Sequence, residues 1–411
     1  MKHILVIGDG MADNPVPELG GRTPVEAAAR PYLNGLSRAG VLGSVKTIPE
    51  GFAPGSDTAI MGIFGCDVHS CYSGRAPLEL AASGGVLPTG GAAYRCNMAS
   101  LQCGDLPFEE RRIVSHSAGS IEGAESDELV EALFAHPDFA PMAAAAGMTV
   151  LPGHSFRHLA VQEKADIHGI VLAPPHDHLG EAAGPLLPRG CAVAGVLRSL
   201  MEKSFEILSA HPINLRRQAE GKLPANCIWF WAEGKGAALP NFVEAYGDRG
   251  GVVSAVPLCH GIARLVGLSP VTVPTATGEW DTDYAAKVRA ALAVLGENDF
   301  VALHLEGPDE ATHNHDLTHK IFAVECLSEL VIRPVAERLR EEKEEFRMLI
   351  LSDHKTLMAN GAHDGDAVPF VLYDSRENRP GSGLDYSERN GLKGPMVSRG
   401  IDLMPLLFEK M

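Results

Sequence analysis

Short apolar runs that stop at small and acidic residues recur along this chain. Residues 3–7 (HILVI) end at Gly8-Asp9-Gly10, residues 300–305 (FVALHL) at Glu306-Gly307-Pro308, and residues 348–351 (MLIL) at Ser352-Asp353-His354. An apolar run without alternation is the pattern of a strand buried on both faces, as in a parallel sheet. Between the last two runs, residues 318–342 repeat apolar positions at helical spacing with charges on the other side. Residues 284–295 (YAAKVRAALAVL), preceded by Gly278 and acidic residues, predict a further helix. Strand, helix, strand predicts an α/β domain, doubly wound around a mostly parallel sheet, with ligands at the loops on the carboxyl ends of the strands.

The middle of the chain breaks this rhythm. Gly84, Gly85, Gly90 and Gly91 precede strand-like residues 94–101, and short strands are predicted over 156–161 and 170–172 before Pro174-Pro175-His176-Asp177. At 411 residues the chain exceeds what one hydrophobic core usually organises. The predicted architecture is therefore a large discontinuous α/β domain, 1–83 and 185–411, with a smaller α+β domain inserted at 84–184.

Composition narrows the partners. Thirty-five Lys and Arg against 52 Asp and Glu give a net charge of −17 with no basic run, which argues against nucleic acid and anionic membranes as partners. An anionic small substrate stays compatible with this charge if bound divalent cations reverse the local field. The eight cysteines form no C-x-x-C pair and no even framework, as expected for a reduced, cytoplasmic protein. The apolar run at the amino terminus is too short for a signal-peptide core, and no segment is long enough to span a bilayer. Nothing in the sequence fixes the oligomeric state.

The candidate chemistry lies at the strand ends. Asp309 and His313, four apart in GPDEATH, fall on one face of a helical turn and can ligate one metal. Asp353 and His354 follow another strand, His363 stands in NGAHDGD, and Asp9 ends the first run. Each has an ordinary alternative as a turn former, cap or solvated helix face. Convergence of several strand ends is the stronger signal. Ser56, in APGSDTA, can present its hydroxyl at a helix amino terminus, where backbone N–H groups favour phosphate, or can simply cap the helix containing residues 59–63.

In order, GDGMADNPVPELGGRTPVEAA, APGSDTAIMGIFGCD, YSGRAPLE, EGPDEATHNHD and SDHKT, followed by His363, resemble the archaeal-type cofactor-independent phosphoglycerate mutases of the alkaline phosphatase superfamily. The resemblance implies a sheet of alkaline-phosphatase type. It implies one metal held by Asp9, Ser56, Asp353 and His354, a second held by Asp309, His313 and His363, and phosphoryl transfer through phosphoserine at Ser56. Mixed oxygen and nitrogen ligands suit Mn²⁺, Zn²⁺, Co²⁺ or Mg²⁺. The implied reaction interconverts 3- and 2-phosphoglycerate without added 2,3-bisphosphoglycerate.

One motif departs. Where these mutases carry Asp-Arg-Arg-Ala-Gly-Arg, this chain has Ser115-His116-Ser117-Ala118-Gly119-Ser120, so the arginines that suit carboxylate or phosphate are missing. A bacterial branch proposed to be homoserine kinases resembles the chain at this motif and over residues 211–231 (HPINLRRQAEGKLPANCIWFW). That resemblance implies ATP as donor and homoserine as acceptor, while a catalytically silent metal-binding protein is the alternative outside enzymes. Candidate substrate-binding residues are Arg75, His116, Arg157, His176, Arg216 and Arg217, each with a structural role as its alternative. Glu310 and Asp316 are candidates to orient the metal ligands, or are helix-surface charges. Thr312 stands where the family usually has Gly.

Overall fold

The computed structural model describes residues 1–236, 239–376 and 380–409. Two compact units divide the chain: Met1–Tyr72 with Ala238–Met411, and Ser73–Ala237.

The first unit is built on an eight-stranded sheet ordered Met396–Val397, Val41–Val45, Val368–Asp374, Phe346–Leu351, Lys2–Gly8, Phe300–Leu305, Gly250–Val253, Ser269–Val271. Lys2–Gly8 runs parallel to both neighbours, and only Val368–Asp374 runs against its own. Ile4 and Val6 pack with Val288, Leu295 and Val324 from the helices on one side. Leu5 and Ile7 alternate to the other face and are equally buried. Both faces are thus covered, as the unbroken apolar runs require.

The second unit has an antiparallel sheet in which Ala92–Leu101 pairs with Ile113–Ser115, Arg157–Gln162 and Cys227–Lys235, and Met148–His154 lies outside Arg157–Gln162. Tyr94, Cys96, Met98, Ile228 and Phe230 form a core with Leu129 and Leu133 of helix Gly123–Ala135 and Leu197 and Leu200 of helix Ala192–Ser209. This unit is larger than the predicted 84–184. Helix Ala76–Ala82 packs Ala76 and Leu80 on Ala93 and Leu159 of this sheet, and strand Cys227–Lys235 completes it, so both flanks belong here rather than to the α/β unit.

Two local expectations also change. Residues 170–172 form no strand; Val171 makes an isolated bridge to Arg189. The helix expected over 318–342 comprises Leu317–Cys326, a π-helical segment Leu327–Ile332, and Arg333–Glu341. Pro334 has no N–H to give the preceding turn, and the Arg333 N–H bonds five residues back to the Ser328 carbonyl. No helix among the described residues is long and apolar enough to cross a membrane.

A buried histidine in the second unit links its stability to pH. His158 has no exposed surface; its Nδ1 accepts the Gly153 N–H at 3.1 Å and its Nε2 lies 2.8 Å from Ser126 Oγ. Asp127 lies 3.8 Å from Nδ1, but that nitrogen's lone pair is already engaged by Gly153, so the ring stays neutral. Desolvation pushes its pKa down to about 4. Because the unfolded value is about 6.5, the unfolded chain binds more protons between these limits, and the stabilisation present above pH 6.5 is lost as pH falls towards 4. Denaturant unfolding of this unit should show roughly 3 kcal/mol more loss between pH 7 and 4 in the wild type than in His158→Gln. Equal losses would show that the imidazole is not buried neutral.

Candidate active site

The register of the parallel strands places the acidic residues at one edge of the first unit. Ile7 pairs with His304 on one side and Leu351 on the other, so Asp9 and Asp353 emerge side by side just beyond the strand ends. The next strand, Phe300–Leu305, leads into helix Gly307–His313, which carries Asp309 and His313 on one face. His363 comes from the short hairpin Lys355–Thr356 with His363–Asp364.

Ser56 is the first residue of helix Ser56–Ile63, whose cap is Gly55. Its hydroxyl does not cap. Oγ lies 3.1 Å from His354 Nε2 and 3.4 Å from Asp9 Oδ2. His354 Nε2 in turn lies 3.5 Å from Asp9 Oδ1 and 3.4 Å from Asp353 Oδ2. Beside this group, Asp309 meets His313 Nε2 at 3.2 Å and His363 Nε2 at 3.4 Å, and the two imidazole nitrogens face each other at 3.0 Å. The structure thus places Asp9, Ser56 and Asp353 around His354 Nε2, and gathers His313 and His363 at Asp309. Ligand atoms of Asp309, His313 and His363, and of Asp9, Asp309 and His354, are close enough to share an ion, so Asp309 stands between the groups.

The electrostatics of these groups call for cations. Asp9 is buried, and burial together with Asp353 and Asp309 holds its carboxyl well above the usual range. Asp9 Oδ1 and Asp353 Oδ2 are buried without a hydrogen-bond partner among the described residues. Burial also raises Asp309, but hydrogen bonds from His313, His363 and Thr356 outweigh it and leave this carboxylate below its ordinary value. Orphaned carboxylate oxygens beside converging imidazole nitrogens form an oxygen and nitrogen donor set that fits divalent metal ions.

A second layer holds these groups. His304 Nε2 is 2.9 Å from Asp9 Oδ2, and its Nδ1 is 3.2 Å from Ser254 Oγ. Thr356 Oγ1 donates to Asp309, and the Gly10 N–H donates to Asp353 Oδ1 at 3.1 Å. Gly10 has φ +57°, and a Cβ there would collide with the Asp309 carboxylate and Thr356 Oγ1. The sequence alone singled out none of His304, Ser254, Thr356 and Gly10. The available signal was a polar His304 inside an otherwise apolar strand. Of the residues read as orienting candidates, Asp316 instead caps helix Leu317–Cys326 by accepting the His319 N–H. Thr312 is buried without disturbing its helix, because its hydroxyl donates to the Pro308 carbonyl at 2.7 Å.

The substrate-binding candidates separate within the second unit. Arg216 and Arg217 are committed to Glu125 at 2.7 and 2.6 Å, and buried Arg217 also donates to the Ala118 and Leu223 carbonyls. Arg217 thereby anchors the turn at residues 115–120. His116, His176, Arg157 and Arg75 instead lie around one patch of the sheet: the His116 ring meets His176 and Phe156, Arg157 covers Phe156, and Arg75 joins Glu79.

Residues 37–214 match the family model described as 2,3-bisphosphoglycerate-independent phosphoglycerate mutase. The enzyme of that name from Methanothrix thermoacetophila is 40% identical over 375 residues, covering 91% of each chain. The Geobacter sulfurreducens protein named as a probable 2,3-bisphosphoglycerate-independent phosphoglycerate mutase is 37% identical over the whole of both chains. The chain belongs to the 2,3-bisphosphoglycerate-independent phosphoglycerate mutase family. Two solved structures agree with this membership. A Pyrococcus horikoshii protein matches with TM-score 0.80 and 28% identity over 100% of this chain and 98% of its own. The cofactor-independent phosphoglycerate mutase of Thermoplasma acidophilum matches with TM-score 0.68 and 26% identity over 100% and 99%. These relatives give the homoserine kinase alternative no support.

Metal analysis tests the donor groups directly. The purified protein should hold two divalent ions per chain, and Asp309→Ala should hold fewer. Stripping the ions with a chelator should lower the thermal midpoint, since the buried carboxylates then face one another uncompensated. A chain with less than one ion and an unchanged midpoint would mean that these residues do not form a metal centre.

Proposed function

We propose that this mutase-family chain is a metal-dependent phosphoryl-transfer enzyme that converts 3-phosphoglycerate to 2-phosphoglycerate through phosphoserine at Ser56, without 2,3-bisphosphoglycerate. The observation that carries this reading is the Ser56 hydroxyl turned away from the helix backbone and onto Asp9 and His354, beside carboxylate oxygens that have no hydrogen-bond partner among the described residues.

Asp9, Ser56, Asp353 and His354 would hold one ion, and Asp309, His313 and His363 the other. The donor set suits Mn²⁺, Zn²⁺, Co²⁺ or Mg²⁺. Such ions, when bound, favour ionisation of the serine hydroxyl and neutralise charge on the phosphoryl oxygens.

The protein's part is to position and then release. Helix Ser56–Ile63 fixes Oγ for in-line attack on phosphorus; the bond to the departing hydroxyl of the glycerate breaks as the serine ester forms. Returning the phosphoryl group to the neighbouring hydroxyl reverses these bond changes and restores Ser56. His304 and Gly10 hold Asp9 and Asp353 in place throughout. The reaction needs no nucleotide, and its partner is a small phosphorylated metabolite.

Phosphorus NMR of the full-length protein with 3-phosphoglycerate and a divalent metal should show 2-phosphoglycerate accumulating without nucleotide or 2,3-bisphosphoglycerate. Ser56→Ala should abolish turnover and acid-stable phosphoserine. Product from ATP and L-homoserine with none from 3-phosphoglycerate would overturn the mutase assignment, and activity retained by Ser56→Ala would overturn the phosphoserine route.

A further inference from the structure

Beside the acidic cluster of the first unit, adjacent strand ends bring a serine and a histidine into line with Asp9. Val253 pairs with Leu303, so Ser254 leaves its strand next to His304. On the other side His304 pairs with Ile7, two residues before Asp9. Ser254, His304 and Asp9 are all buried. Ser254 Oγ lies 3.2 Å from His304 Nδ1, and His304 Nε2 lies 2.9 Å from Asp9 Oδ2. Buried Lys287 donates to the His304 carbonyl at 3.2 Å and so ties down the backbone at this point.

With Asp9 ionised, as a ligand to a cation must be, this row admits one arrangement of protons. Burial disfavours a charged imidazole, so the ring carries a single proton. That proton belongs on Nε2, because the other tautomer would set a nitrogen lone pair against a carboxylate oxygen at 2.9 Å. Nδ1 then presents a lone pair to Ser254 Oγ. This oxygen already accepts the Val256 N–H at 3.0 Å, and its own proton is left to give to the ring. Asp9 Oδ2 is thereby engaged, while Oδ1 has no hydrogen-bond partner among the described residues. The Asp309 group is held separately, by Thr356.

We propose that Ser254 is a positioning residue that selects the Nε2-protonated tautomer of His304 and, through it, sets the ion affinity of the Asp9 group without altering that of the Asp309 group. The inference rests on the metal-binding reading of these two groups. Which ring nitrogen of a histidine carries the proton is decided by the hydrogen bond at the other nitrogen. Without the Ser254 hydroxyl, nothing in this row favours the Nε2–H form. The inverted ring would turn a lone pair on Asp9, and the carboxylate would have to rotate away or take up a proton. Either change competes with an ion for the same oxygens.

Nitrogen-15 NMR of the histidine-labelled, zinc-loaded full-length protein reads the tautomer, and calorimetric titration of the metal-free protein with Zn²⁺ reads the two ion sites. His304 of the wild type should carry its proton on Nε2. Ser254→Ala should weaken one of the two zinc ions by about tenfold or more and leave the other within about twofold. Ser254→Thr, which keeps a hydroxyl, should recover part of the loss. In His304→Gln the amide can donate to Asp9 without help from Ser254, so adding Ser254→Ala should change zinc affinity no further. Weakening of both ions, or a further loss on top of His304→Gln, would reveal a general loosening of the fold and overturn the positioning role. Wild-type protein that binds no zinc would overturn the metal-binding reading and this inference together. Unchanged zinc affinities in Ser254→Ala, or a wild-type His304 protonated on Nδ1, would overturn the role of Ser254 alone.

Discussion

Three carboxylates, Asp9, Asp309 and Asp353, are buried at one edge of the parallel sheet, and their mutual repulsion is the constraint around which the first unit is arranged. Burying one unpaired carboxylate is costly and burying several together is more so, so such a cluster persists only where donors and cations answer it. The fold supplies the donors locally. His304 and Ser56 face Asp9, Thr356 and two imidazoles face Asp309, and the Gly10 and His354 N–H groups face Asp353. The orphaned oxygens of Asp9 and Asp353 mark what these donors leave unanswered.

Holding these loops in register requires its own buried charge. Lys320, fully buried in helix Leu317–Cys326, donates to Asp13 Oδ2 at 2.8 Å and to the Thr356 carbonyl at 2.6 Å. Asp13 also accepts the Met358 N–H at 3.1 Å. The loop after the first strand and the hairpin that brings His363 are thus tied to one ammonium group. Because both ions are desolvated, removing either partner would strand the other, so this pair serves geometry more than stability.

Much of the candidate site's acidic cluster was legible because the parallel topology writes it in repeats. An apolar run followed by an acid marks a strand end, and strand ends of one sheet share an edge. Asp309 and His313 were legible for a similar reason, since helical spacing alone puts them on one face. The supporting residues were not legible, because their roles depend on cross-strand neighbours: His304 looks like one polar interruption in a strand until Ile7 is placed beside it. The extent of the second unit was hidden for the same reason, as Cys227–Lys235 is an ordinary strand until paired with Ala92–Leu101. Arg216 and Arg217 misled because an arginine pair suits an anion whether that anion is a ligand or, as here, Glu125.

The turn at residues 115–120, where the family's arginines are missing, is shaped by its own side chains. Ser115 Oγ accepts the Ser117 and Gly119 N–H groups, Ser117 Oγ accepts that of Ser120, and Arg217 holds the Ala118 carbonyl. Ala118, Gly119 and Ser120 all take positive φ, and this local hydrogen bonding offsets the strain. The serines of the turn are occupied in shaping it, leaving the His116 ring as the group it presents to the cationic face of the sheet. On that face Arg95 and Arg75 share one glutamate, while Arg157 has no ion pair among the described residues. Positive charge missing from the turn is therefore available on neighbouring strands. The change at 115–120 thus leaves a turn held by its own serines and by Arg217, with cationic side chains standing on the neighbouring strands.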